Sequence, residues 1–130
     1  AKTYKCDTIV ELLGDNPLVH SELIDDVVSC YFKNKYDYAA TVTKEYPKSG
    51  NKCLFPVGVR VQVYSIKAAE QYAKYPEYIN NEKKHPCSYI FEHPKIFNIG
   101  YFEAKGKWEF FISLFSWRDM IDTGKISWQR

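Results

Sequence analysis

Residues 8–32 constrain the chain more than any other stretch, because the hydrophobic period changes abruptly across one short turn. Thr8 to Leu13 (TIVELL) is a β-branched, mostly apolar run closed by Gly14, Asp15, Asn16 and Pro17, which predicts a buried strand ending in a tight polar loop. Beyond it Ser21 is a good N-cap, and Glu22, Asp25 and Asp26 complement the positive helix end. Leu23, Val27 and Tyr31, with Ile24, Val28 and Phe32, then repeat at i, i+4 as an apolar helical stripe. A strand, a turn and an amphipathic helix make half of a βαβ unit.

The remaining pattern extends that beginning. Asp37 to Val42 (DYAATV) reads as a second strand, and Thr43 to Lys52, with Pro47 and Gly50, as a loop. From Val57 to Tyr64 the chain alternates strictly, with Val57, Val59, Val61 and Val63 on one face and Gly58, Arg60, Gln62 and Tyr64 on the other. Ser65 then caps a helix carrying Ala68, Ala69, Tyr72 and Ala73, which stops before Pro76. Asn81 to Glu92 is expected to be helical in part. Ile96 to Glu103 and Glu109 to Phe115 read as further strands, and Trp117 to Ile121 as a closing helical turn. Strands interleaved with helices indicate an α/β layered domain, not a sandwich. No repeat, low-complexity segment or linker divides the chain, so residues 1–130 are read as one domain.

Composition agrees with a single packed core. The 130 residues are 45% hydrophobic and include 3 Trp, 11 Tyr and 8 Phe against only 6 Gly and 6 Pro, which excludes collagen-like and disordered classes. A net charge of +2 supplies no broad electrostatic footprint for nucleic acid or anionic lipid, so neither is expected as a partner. No apolar run approaches the roughly 18 residues of a membrane span, and the N-terminus lacks the layout of a secretion signal. Cys6, Cys30, Cys53 and Cys87 are widely spaced without a CxxC and read as reduced thiols of a cytoplasmic protein. The chain opens at Ala1, which leaves open that it is a piece of something longer.

Three groups of residues are candidates for chemistry. The loop from Gly14 to Leu18 lies past the carboxyl end of a predicted strand, where open α/β sheets bind ligands. Asp15 there can hold Mg²⁺ against nucleotide phosphates, or else cap its own turn. Arg60 and Gln62 share a strand face and can bind anionic or hydroxylated groups in a cleft, or form a solvated face. Lys83, Lys84 and His85 can form an anion site at a helix start, or a solvated charge run.

Together these segments resemble a family. Ile9 to Val19 (IVELLGDNPLV), the acidic helix from Ser21 and the Asp37-Tyr38 strand start are similar to the central segment of CMP-sugar synthetases. These are the acylneuraminate and 3-deoxy-manno-octulosonate cytidylyltransferases, with relatives in spore-coat polysaccharide synthesis. Phe55 to Ser65 (FPVGVRVQVYS) is similar to their P-x-G-x-x-V-x-V-F-S strand, and Lys84 to Pro94 (KHPCSYIFEHP) to their E-H-V-T-P-Y-I segment with its trailing H-P. Order and spacing agree over about residues 8 to 100, the later portion of the family pattern. The resemblance implies a three-layer, Rossmann-like nucleotidyltransferase sheet, incomplete at its N-terminus. It also implies transfer of CMP from CTP to a sugar acid, with Mg²⁺ on Asp15, and a homodimer, while the residues themselves offer Asn16, Arg60, Gln62, Lys83, Lys84 and His85 as the candidate substrate contacts.

The departures from the pattern carry their own expectation. Nothing before Thr8 has room for the family's basic phosphate-gripping loop. Arg60 and Gln62 stand where acidic residues are usual, and Lys83 and Lys84 replace an arginine and a glutamate. Leu114 and Phe115 occupy the place of the Asp-Thr of a metal-binding signature. The isolated chain is therefore expected to be inactive, the alternative being a non-catalytic remnant that binds a sugar or a protein.

Overall fold

A computed structural model describes residues 2–14, 16, 19–43, 54–56, 58–75 and 87–112. After a single 3-10 turn at Lys2–Tyr4, the order is β1 (Thr8–Glu11), α1 (Ser21–Asn34), β2 (Tyr38–Thr41), β3 (Gln62–Ser65), α2 (Ile66–Tyr72), α3 (Ser88–Glu92) and β4 (Ile99–Phe102). The four strands form one sheet in the order β1-β3-β2-β4. β1, β2 and β4 run in one direction, and β3 lies antiparallel between β1 and β2.

α1 begins where the acidic residues cluster, but its N-cap is His20, whose Nδ1 accepts the Glu22 N–H at 3.2 Å. Ser21 is already helical. Leu23, Val27 and Tyr31 are buried and Ile24 and Val28 half-buried, as the stripe predicts, whereas Phe32 is exposed. Lys35, at φ 53°, closes the helix in the left-handed region and donates its N–H to the Phe32 and Tyr31 carbonyls.

The stripe packs on one sheet face with Ala39, Val61, Val63, Phe55 and Trp108. The other face carries Tyr38 and Ala40 beneath Ala68 of α2 and Tyr89 and Ile90 of α3. Helices on both faces make three layers, with β2, buried at every residue, at the centre. Small side chains at Ala39 and Ala40 let both layers approach it. Gly100 in β4 is another close approach: a Cβ there would enter the ring of Tyr36.

β3 passes into α2 without a loop, and the Ser65 hydroxyl accepts the Ala68 N–H at 3.1 Å, the cap expected from sequence. Two strand readings are corrected. Of the alternating run only Gln62 to Tyr64 enters the sheet, as the start of β3. Just before it the Thr41 hydroxyl accepts the Val61 N–H and donates to the Val59 carbonyl, both at 3.1 Å, while the Thr41 N–H still donates to the Val61 carbonyl at 3.1 Å. Residues 109–112, read as part of a strand from Glu109 to Phe115, belong to a helical segment over 107–112. Trp108, Phe111 and Ile112 stand at i, i+3, i+4, so one helical face packs them onto the α1 side of the core. The expected closing turn from Trp117 to Ile121, with Leu114 and Phe115, falls outside the described residues, as does most of the loop read between Thr43 and Lys52.

Candidate functional site

Three parallel strands give the sheet a carboxyl edge, formed by the ends of Glu11, Thr41 and Phe102. In open α/β sheets this edge is where ligands bind. Past Glu11 the chain turns tightly: the Asn16 N–H donates to the Leu13 carbonyl at 3.0 Å, and the Val19 N–H to the Asn16 carbonyl at 3.4 Å. Asn16 is only 9% exposed, and its Nδ2 is buried with no hydrogen-bond partner. A buried amide donor left unpaired costs about 1–3 kcal/mol, so the turn holds it at a price that a ligand acceptor would relieve.

The segment entering β3 crosses beside this turn. Gly58 sits at φ 94°, a conformation L side chains rarely adopt, and a Cβ on it would lie 3.7 Å from Asn16 Oδ1. Two residues later Arg60 is 8% exposed, and Gln62 is fully buried. Sequence reasoning put these two on one face and left open a solvated surface. That alternative is excluded, because the α2–α3 layer covers the face. Gln62 accepts a hydrogen bond from the Tyr38 hydroxyl at 2.6 Å, which fixes its amide within the sheet.

Directly across from Gln62 in the ladder is Glu11, a residue that sequence reasoning passed over. Its Oε2 accepts the Tyr64 hydroxyl at 2.9 Å and the Cys87 thiol at 3.4 Å. The available signal was the lone carboxylate in the apolar run TIVELL. Burial, reinforced by the charge of Glu11, pushes the Cys87 thiol well above its ordinary value and outweighs the opposing pull of Arg60. Burial likewise raises Tyr64, with Cys87 and Glu11 adding to it. Both groups are therefore held protonated as donors to the one carboxylate.

A buried neutral thiol is a poor nucleophile. Cys87 should resist iodoacetamide at pH 8 in the native protein while the exposed Cys6 is labelled, as peptide mass spectrometry would record. Equal labelling of the two would show the cluster to be open. The raised thiol also contributes stability that is complete below its ordinary value of 9.0 and is lost as pH climbs above it.

Of the residues singled out from sequence, Asn16, Arg60 and Gln62 are thus placed at or beneath one edge. Asp15, Lys83, Lys84 and His85 lie outside the described residues, as does Cys53. Cys6, Cys30 and Cys87 are free thiols. Among the described residues no three His, Cys, Asp or Glu side chains converge to hold a metal, and no helix is long and apolar enough to cross a membrane.

Over 103 residues the chain is 32% identical to an uncharacterised protein of Methanocaldococcus jannaschii, a match covering 79% of this chain and 37% of that one. In structure it is similar to a cytidylyltransferase from Leptospira borgpetersenii serovar Hardjo-bovis, with a TM-score of 0.61 and 22% identity over 78% of this chain and 40% of that chain. The chain thus spans less than half the length of either relative, and the structural likeness establishes a nucleotidyltransferase-like fold. A family model described as cytidylyltransferase matches residues 1–120, and the chain belongs to the cytidylyltransferase family.

Proposed function

We propose that this edge is the acceptor side of a CMP transfer of the CMP-sugar synthetase kind, in which an oxygen of a sugar acid attacks the α-phosphate of CTP and pyrophosphate leaves. The observation that carries the reading is the buried, unpartnered Asn16 Nδ2 at the carboxyl edge of a cytidylyltransferase-family sheet. In-line displacement at phosphorus asks for positioning and for charge to meet charge, with little covalent help.

Arg60 is proposed to take the acceptor's carboxylate, for which its planar guanidinium is suited. Asn16 donates to an oxygen of the bound acceptor or phosphate. Gln62, held by Tyr38, keeps the floor of the site in place. Lys83, Lys84 and His85 are proposed to meet phosphate charge.

Mg²⁺ with a nucleotide needs one or two protein carboxylates, with waters and phosphates completing its shell. Asp15, the sequence neighbour of Asn16, is proposed as its holder because it supplies such a carboxylate. When bound, the ion would supply neutralisation of the phosphate charge.

The match spans only 37% and 40% of the two relatives, so we infer that these 130 residues alone do not complete the reaction. Incubated with CTP, Mg²⁺ and a panel of sugar acids, the chain should release no pyrophosphate above background while still binding a sugar acid in ligand-observed NMR. Robust turnover would overturn the first part, and failure to bind any sugar acid the second.

We also propose a homodimer. β1 is an edge strand, and Val10 and Leu12 are 43% and 45% exposed beside it, an apolar margin that a second copy could cover. Sedimentation over a concentration series should show twice the 15.3 kDa chain mass. A mass that stays at one chain would exclude it.

A further inference from the structure

The Glu11 carboxylate is asymmetric in a way that the fold does not require. Both of its partners, the Tyr64 hydroxyl and the Cys87 thiol, donate to Oε2. Among the described residues no hydrogen bond reaches Oε1. Two donors on one oxygen fix the plane of the carboxylate and leave the other oxygen as a preset acceptor. Glu11 is half-buried and is the last residue of β1, so that acceptor stands at the carboxyl edge of the sheet.

We propose that Glu11 Oε1 is a specificity-determining acceptor for a hydroxyl group of the acceptor sugar, with Tyr64 and Cys87 as its positioning residues. The inference rests on the CMP-transfer reading above and adds to it the residue that would read the polyol end of the acceptor.

Several features point to a neutral, hydroxyl-bearing group as the ligand. An anion would be repelled by Glu11, and a polyol hydroxyl is a donor that a fixed carboxylate accepts strongly. Arg60 lies two residues before Gln62, the ladder partner of Glu11, on the segment that enters β3 at the same edge. Its charge is felt at Cys87, which itself touches Glu11. A carboxylate that accepts hydroxyls and a guanidinium that binds a carboxylate, on one sheet edge, are the two chemistries that the ends of a sugar acid call for. A second, independent sign of a ligand on the same edge is the unpartnered Nδ2 of Asn16, whose turn begins two residues beyond Glu11.

The test is binding of N-acetylneuraminate and of 3-deoxy-manno-octulosonate to the 130-residue chain, measured by NMR titration, for the unaltered protein, Glu11→Gln and Tyr64→Phe. Gln keeps an oxygen to accept from Tyr64 and Cys87 but puts an N–H₂ donor where Oε1 stood, so the scaffold survives while the acceptor is lost. Glu11→Gln should weaken binding of the preferred sugar about ten-fold or more, leaving the spectrum dispersed and the affinity for CTP with Mg²⁺ within about two-fold. Tyr64→Phe, which only loosens the carboxylate, should cost less, and a variant lacking both should be no worse than Glu11→Gln alone. A dispersed Glu11→Gln protein that binds both sugars as tightly as the unaltered chain would overturn the proposal and leave the CMP-transfer reading standing. If the unaltered chain binds neither sugar, that reading fails and takes the proposal with it.

Discussion

Trp108→Ala should remove about 4 kcal/mol of folding stability, a large part of the roughly 5–15 kcal/mol available to a domain of this size. Trp108 is 5% exposed and belongs to the cluster that joins α1 to the sheet. Its ring lies 6.3 Å from Phe55 and 5.5 Å from Phe111, and its indole N–H donates to Asp26 Oδ2 at 2.9 Å. Truncation opens a cavity and strips a donor from a carboxylate at the same time. Burial alone would raise Asp26, but hydrogen bonds from Lys107 and Trp108 outweigh it and hold the carboxyl below its ordinary value of 3.8. The stability from that pairing is present above 3.8 and is lost as pH falls below it, so the variant should also lose part of its acid sensitivity. Urea unfolding followed by circular dichroism would measure both effects. A loss under about 1 kcal/mol would mean that residues 107–112 do not cover α1.

The second large effect is expected at Thr41. This side chain is fully buried, and its hydroxyl serves two backbone groups of the arm that carries Arg60. Thr41→Val keeps the shape and removes only the hydroxyl, leaving the Val61 N–H and the Val59 carbonyl without that partner. Each buried group so orphaned costs about 1–3 kcal/mol, so a total near 3 kcal/mol is expected. Amide exchange at Val61 should accelerate by about two orders of magnitude, read against unchanged exchange in α1. An unchanged rate would show that the arm is held by other contacts.

These two residues also show where sequence reasoning succeeded and where it stopped. The first strand, its turn and the acidic amphipathic helix were legible because each carries its own period and cap, although the strand read as buried over Thr8 to Leu13 is Thr8–Glu11 at the sheet edge, none of it fully buried. The run from Val57 to Tyr64 has the alternation of a long strand, yet periodicity does not register that a threonine hydroxyl on a neighbouring strand can take a place in the ladder. The helical spacing of Trp108, Phe111 and Ile112 is present in the sequence, but so many aromatics in a row also satisfy a strand pattern. In the site, Arg60 and Gln62 were found through their shared face of the alternating run, and Asn16 through its place in the turn after the first strand. Glu11 was not, because only the antiparallel insertion of β3 brings Tyr64 and Gln62 against it, and strand order is not written in local pattern.

The central claim is that the carboxyl edge of β1 and β2, and no other surface, receives the acceptor. It is tested most directly by amide chemical-shift mapping of the ¹⁵N-labelled chain during titration with N-acetylneuraminate and with 3-deoxy-manno-octulosonate. The largest shifts should fall on Glu11, Asn16, Gly58 and Arg60, with Lys67 to Lys74 on the far side of α2 unmoved. Shifts centred on that α2 surface, with the edge silent, would contradict it.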